Sequence, residues 1–212
     1  MAVYFNTAAD RIERLPSPSN GAPQTFAGWI RRVNTGVAHT ILQASADATD
    51  SNGFRIEVTA AGVARAGQKS GGANSAAAAG TIGDTSWHHV AGIFPSDSSR
   101  TAYLDGVPGA ANTTARAAVS EARILIGATY VGGALAQNSG MELAEIAAWD
   151  VVLADDEIAA LAKGISPLLV RAPDLTFYVP LISRVVDVKD NSAWGTVAHS
   201  GFVGHPRVFM PY

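Results

Sequence analysis

Helical periodicity is almost missing from this chain. In its place come short runs rich in Val, Ile, Thr, Phe, Tyr and Trp, divided by clusters of Gly, Asn, Asp, Ser and Pro. Such runs suit the pleated, half-buried surface of a strand, and the clusters supply the backbone conformations that turns need. Many short strands punctuated in this way lead to an all-β sandwich or barrel. In the first half the pattern predicts strands over Ala2–Phe5, Arg11–Leu15, Thr25–Val33, Thr40–Ala44, Phe54–Thr59 and Val63–Gln68. In the second half it predicts Trp87–Phe94, Arg100–Leu104, Arg123–Ala128, Glu142–Val151, Leu175–Leu181 and a short run near Val208.

The connections carry their own chemistry. Asp105-Gly106 is a dipeptide that tolerates positive φ at both positions, as a tight hairpin requires, and Ala61-Gly62 turns the chain between two adjacent strands. Gly71–Gly83 is low in complexity, and its flanking glycines make a helix costly to start, so it reads as a loop plus a weak edge strand. One helix stands out, over Asp155–Lys163. Asp155, Asp156 and Glu157 sit where the helix dipole favours acids, Ile158, Leu161 and Ala162 share a face, and Gly164 and Pro167 follow the end.

With 212 residues the chain is long enough for one sandwich with its own core. It has no cysteine, which excludes disulfides and thiolate metal sites. The formal charge of −3 is scattered, and no Lys/Arg run is present to neutralise a phosphate backbone, so nucleic acid is not expected as a partner. No apolar stretch approaches the ~20 residues of a membrane span, and the start lacks the basic and apolar regions of a secretory signal.

Trp87-His-His-Val-Ala-Gly92 followed by Ala102-Tyr-Leu-Asp-Gly106 resembles the central strand pair of laminin-G-like domains. Arg123-Ile-Leu-Ile-Gly127, Met141–Trp149 and Leu153–Ile158 are similar to that family's late strands and terminal helix, with Ala154 where a Ser or Thr cap is usual. The resemblance implies a concanavalin A-like antiparallel β-sandwich, a jelly roll with one short helix. We divide the chain into a sandwich over residues 1–182 and an extension over 183–212, either an arm or closing strands. The ending, with Ser166-Pro-Leu-Leu, Phe177–Leu181 and His205-Pro-Arg-Val208, is similar to endings of laminin-G-like proteins of tailed bacteriophages and prophages. That likeness implies a non-enzymatic virion surface protein, a capsid decoration or fibre component, that contacts shell or tail proteins or sister copies. The alternative is a carbohydrate-binding adhesion module at a cell surface or outside the cell. A glycoside hydrolase stands behind both.

Particular residues speak to each reading. Glu142 and Glu145 are the nearest match to a glucanase carboxylate pair, but residues three apart on a regular strand point to opposite faces, so no catalytic residue is assigned. His88 and His89 diverge for the same reason, one expected inside and one on a polar surface. Asp47, Asp50 and Asn52 offer hard oxygen ligands to calcium, yet they are also what a solvated turn contains, and no cofactor is required. Tyr130, in a Gly-rich loop, and Asn138 are the candidate sugar contacts, while Trp29, Trp87 and Trp149 read as core. Trp194, Phe202, Phe209, Met210 and Tyr212 either complete the sandwich or form an interface. We expect Arg184–Tyr212 to act as an arm that contacts another chain.

Overall fold

The computed structural model describes residues 2–204 apart from Ala8, Asn20, Asp50, Gln137, Asn138, Ser183, Arg184 and Ala193. The proposed ligands Asp50 and Asn138, the interface residues Phe209, Met210 and Tyr212, and the run near Val208 therefore lie outside the described residues.

The chain opens with β1 (Ala2–Phe5), β2 (Arg11–Arg14), β3 (Gln24–Arg32), β4 (His39–Ser45), β5 (Gly53–Val58) and β6 (Val63–Ser70). It continues with β7 (Ala73–Thr81), β8 (Trp87–Ser96), β9 (Ser99–Leu104), β10 (Val107–Pro108) and β11 (Arg123–Ile126). A small hairpin, β12 (Thr129–Val131) with β13 (Ala134–Ala136), precedes β14 (Met141–Trp149). Then come the helix α1 (Asp155–Ala162), β15 (Leu175–Val179), β16 (Thr196–Ala198) and β17 (Gly201–Val203).

Two antiparallel sheets stack face to face. The first runs β10-β9-β8-β3-β14-β1-β17, with β15 also paired to β14, and the second runs β16-β2-β11-β4-β5-β6-β7. Alternation along the strands fills the space between them: Val3, Phe5, Ile30 and Val90 from the first sheet meet Ile12, Leu42, Ile56 and Ile126 from the second. Phe94 packs edge-on against Phe54 across the gap, with ring centroids 5.1 Å apart.

The first sheet also buries part of its outer face. Helix α1 lays Ile158 and Leu161 on Ala27, Ala91, Tyr103, Ala147 and Trp149, and Val170 accepts a hydrogen bond from the Trp149 indole. Covered on both faces, β14 is buried along its whole length, Glu142 and Glu145 included. Among the described residues no helix is long and apolar enough to cross a membrane.

Three expectations change. Gly71–Gly83 holds a nine-residue edge strand, β7, and not a loop with a weak strand. In β14 the register against β3 shifts between Ala144 and Ala147, and Glu145 takes φ +57°. The extra residue brings Glu145 to the same face as Glu142, so the opposite-face argument fails. The third concerns the extension. Its described part closes the chain's own sandwich: β16 pairs with β2 at one edge, and β17 pairs with β1 at the corresponding edge of the other sheet. Of the two readings open for Trp194, completing the sandwich or forming an interface, the structure takes the first: it is 4% exposed and packs edge-on against Phe177 in the core. Phe202 stays 37% exposed, with its ring against His199.

Candidate ligand-binding face

The outer face of the second sheet gathers charged side chains. In β5 the sequence Gly53-Phe-Arg-Ile-Glu-Val58 alternates strictly, sending Phe54, Ile56 and Val58 into the core and Arg55 and Glu57 outward. The same alternation turns Arg11 and Glu13 of β2, Gln43 of β4, Arg65 and Lys69 of β6 and Arg123 of β11 outward. Cross-strand register sets Gln43 opposite Arg55 and Glu57 opposite Arg65.

These groups are held, not loose. Arg55 Nε lies 2.9 Å from Glu57 Oε2, and Arg123 donates to Glu13 Oε1 at 2.9 Å. Arg11 adds a longer contact to Glu13, 3.6 Å. Between them, Gly53 and Gly67 carry no side chains, and Gln43, Arg55 and Lys69 close over the gap so that no room for a water is left. Gly53 has to be glycine, because a Cβ there would stand 2.4 Å from the Ala44 carbonyl. Among the described residues, five cationic side chains on this face stand against two carboxylates, although the whole chain is formally −3. Arg55, Arg123 and Arg11 are thus engaged with Glu57 and Glu13 on the sheet itself.

Tyr130 sits at the rim. Its hairpin turns through Gly132 and Gly133, both at positive φ, and its half-buried ring lies 5.5 Å from the Arg123 guanidinium. Asp47 accepts from the Thr49 amide and hydroxyl, and these bonds hold its carboxyl below the ordinary carboxylate range. Asn52 accepts from the Gly71 amide at 2.8 Å. Among the described residues no three His, Cys, Asp or Glu side chains converge as a metal-binding group.

The histidines part as expected. His89 is buried and its pKa is driven down to about 4 by burial, while His88 bridges Asp105 at 2.7 Å and Asp84 at 3.0 Å. Glu142 is ion-paired with Arg31 at 2.8 Å. Glu145 accepts from the Tyr178 hydroxyl beside a cavity of about 10 Å³, room for no more than a water. Trp149 is core as expected. Trp29 and Trp87 are not: both are only half-buried, on the outer face of the first sheet.

The family follows from these elements together. A laminin-G family model, described as the concanavalin A-like lectin/glucanases superfamily, matches residues 7–159. The chain belongs to that superfamily. A search of curated protein sequences finds no match. Among solved structures, this lectin-like domain is similar to a heptameric SAP-like pentraxin from Limulus polyphemus at 15% identity and TM-score 0.60, covering 76% of this chain and 80% of that one. The CBM40 module of the Ruminococcus gnavus IT-sialidase, solved with α2,3-sialyllactose, aligns at 14% identity and TM-score 0.57, covering 76% and 98%. A proposed carbohydrate-binding protein of Bacteroides ovatus aligns at 15% identity and TM-score 0.64, covering 90% of this chain and 56% of that one. At such identities the likeness speaks for the lectin-like fold.

The sequence names Tyr130 as a candidate sugar contact but does not reveal the arginines of this face, of which Arg123 lies beside that ring. Arg11, Arg55, Arg65 and Arg123 lie on four strands far apart in the chain, and only pairing brings them together. The one available signal was the alternation of Gly53–Val58, which marks Arg55 and Glu57 as neighbours on a single face.

Proposed function

We propose that this lectin-like domain is a non-enzymatic carbohydrate-binding module, and that its ligand is an anionic glycan bearing carboxylates, laid across the outer face of the second sheet. The observation that carries the reading is the excess of cationic side chains over carboxylates among the described residues of that face, Arg65 and Lys69 standing beside the Arg55–Glu57 and Arg123–Glu13 pairs, in a chain whose total charge has the opposite sign. A sheet face binds without rearrangement, which lowers the ordering cost that flexible loops would incur. The likeness to a sialidase CBM40 solved with a sialylated sugar agrees with this choice of ligand.

Calorimetric titration with sialylated, uronate-containing and neutral oligosaccharides tests it. The anionic sugars should bind, binding should weaken as salt rises, and Arg65→Ala with Lys69→Ala should lower affinity at least tenfold. Equal binding of neutral sugars at this face, or indifference to both substitutions, would overturn the reading. Because the hydroxyl of Tyr178 and the guanidinium of Arg31 engage Glu145 and Glu142, no hydrolysis is expected. Release of reducing ends from any of these glycans, lost in Glu142→Gln, would show the module to be an enzyme.

The phage-like ending supports a second proposal, that the module is displayed on a virion. Recovery of the chain at fixed copy number from purified particles tests that placement.

A further inference from the structure

We propose that His88 is a proton-operated latch. While its ring is charged it fastens the turn between β7 and β8 to the hairpin between β9 and β10, and loss of one proton frees the turn.

The geometry requires the charge. Nδ1 of the ring lies 2.7 Å from Asp105 Oδ2, and Nε2 lies 3.0 Å from Asp84 Oδ1. An ionised carboxylate can only accept hydrogen bonds, so both ring nitrogens must carry protons for both contacts to hold. The His88 side chain is 19% exposed, which leaves these contacts less screened than on an open surface. Burial alone would lower its pKa, but the hydrogen bonds and charges of Asp105 and Asp84 outweigh burial and hold it above the ordinary 6.5.

The surrounding elements leave the titration to this one ring. On β3 the residue opposite His88 is the apolar Ile30, and Arg32 of the same strand spends its guanidinium on backbone carbonyls. Next in the chain, His89 turns to the other face against Trp29 and stays neutral down to about pH 4. Helix α1 also packs on that other face, over Ala91.

The two carboxylates are not equivalent, and the difference decides which bond is lost. Asp105 is fixed twice to β8: its amide donates to the His89 carbonyl at 2.8 Å, and its Oδ1 accepts from the His89 amide at 2.9 Å. Asp84 rides on a turn whose residues 83–86 are all exposed. A neutral ring keeps a single N–H, and the shorter bond to the better-fixed partner retains it at Nδ1. Nε2 then presents a lone pair to the Asp84 carboxylate, and an attraction becomes a repulsion. Thr85 sits on this turn and, with Arg31 and Val33, lines a depression of about 310 Å³. The latch therefore sets whether one wall of that depression is held. A folded pKa above the unfolded 6.5 makes the contribution of His88 whole below pH 6.5 and lost as pH rises through the folded value.

Nuclear magnetic resonance of the full chain, from mildly acid to mildly alkaline pH, tests the latch. The ring nitrogen shifts of His88 should titrate with a pKa above 6.5 and report a neutral form protonated at Nδ1. The amide signals of Thr85 and Ser86 should follow the same midpoint and lose order on its alkaline side. Asp84→Asn carries an amide that can accept from the charged ring or donate to the neutral one. It should lower the His88 pKa and make the order of the turn indifferent to pH, while the β8 amides hold their positions and report an intact fold. His88→Gln should likewise remove the pH response of Thr85 and Ser86. A turn that keeps its order as His88 titrates overturns the proposal. So does a His88 pKa at or below 6.5, a neutral ring protonated at Nε2, or a pH response that survives His88→Gln.

Discussion

At the scale of single residues, the interior carries charge that no strand pattern announces. Arg32 is 2% exposed, and its guanidinium reaches the backbone carbonyls of Ile82, Thr35, Val37, Thr59 and Ala60. It ties three loops at one end of the sandwich, and burial draws its pKa down without discharging it. Arg32→Met keeps the bulk but leaves those carbonyls short of donors, and should cost about 2–4 kcal/mol in urea unfolding. His89 gives a pH dependence of definite sign. Its pKa is about 4 in the folded chain against 6.5 when unfolded, so between these values only the unfolded chain takes up the proton. Its contribution is whole above pH 6.5 and declines as pH falls, with a loss on the order of 3 kcal/mol once pH is below the folded value. The stability difference between wild type and His89→Gln should therefore shrink from pH 7 to pH 4, as thermal unfolding across that range will read. In the sequence, Arg31-Arg32 falls within the expected strand Thr25–Val33; which of the two turns inward depends on β4 to β7 arriving beneath it.

At the scale of elements, most strands were legible because their apolar alternation is local. The helix was legible from its acids and its glycine stop, and it spans Asp155–Ala162 against the expected Asp155–Lys163. Its N-cap is Ala154, and the backbone N–H there donates to Glu157 Oε2 at 2.8 Å. Ala154 has no acceptor of its own, so one half of the usual reciprocal capping is absent. Ala154→Ser should supply it and raise stability by about 0.5–1 kcal/mol, measured as a shift in the chemical denaturation midpoint. Strand β7 was not legible, for a physical reason. Alanine and glycine contribute little intrinsic strand preference, and the segment is extended because β6 offers it a full ladder. The bulge in β14 was hidden as well, since nothing in Glu142–Ala147 states where an alternation will slip. The cationic face was half visible: each strand names its own outward residues, but only the order of strands makes them neighbours.

At the scale of the molecule, the chain is fastened by its two ends. Val203 pairs with Ala2 and Ala198 with Arg11, and Trp194 inserts between the sheets behind them. Asp187 is buried beneath this strap, accepting from the Tyr178 and Lys189 amides and from Arg14. Truncation after Ile182 should therefore not release a folded sandwich; it should abolish the cooperative urea transition or lower its midpoint sharply, read by near-ultraviolet circular dichroism. A truncated chain with an unchanged midpoint would show that the strap is dispensable. The same fastening dictates a timetable. Contacts between the first and last described strands close a loop of nearly the whole chain, the slowest kind to form. Until residues 194–203 have been made and have docked, β1 and β2 remain open edges, free to pair with the strap of a neighbouring molecule. Slow refolding at high concentration should then trade straps between chains, so that the yield of monomer depends on dilution more than on temperature.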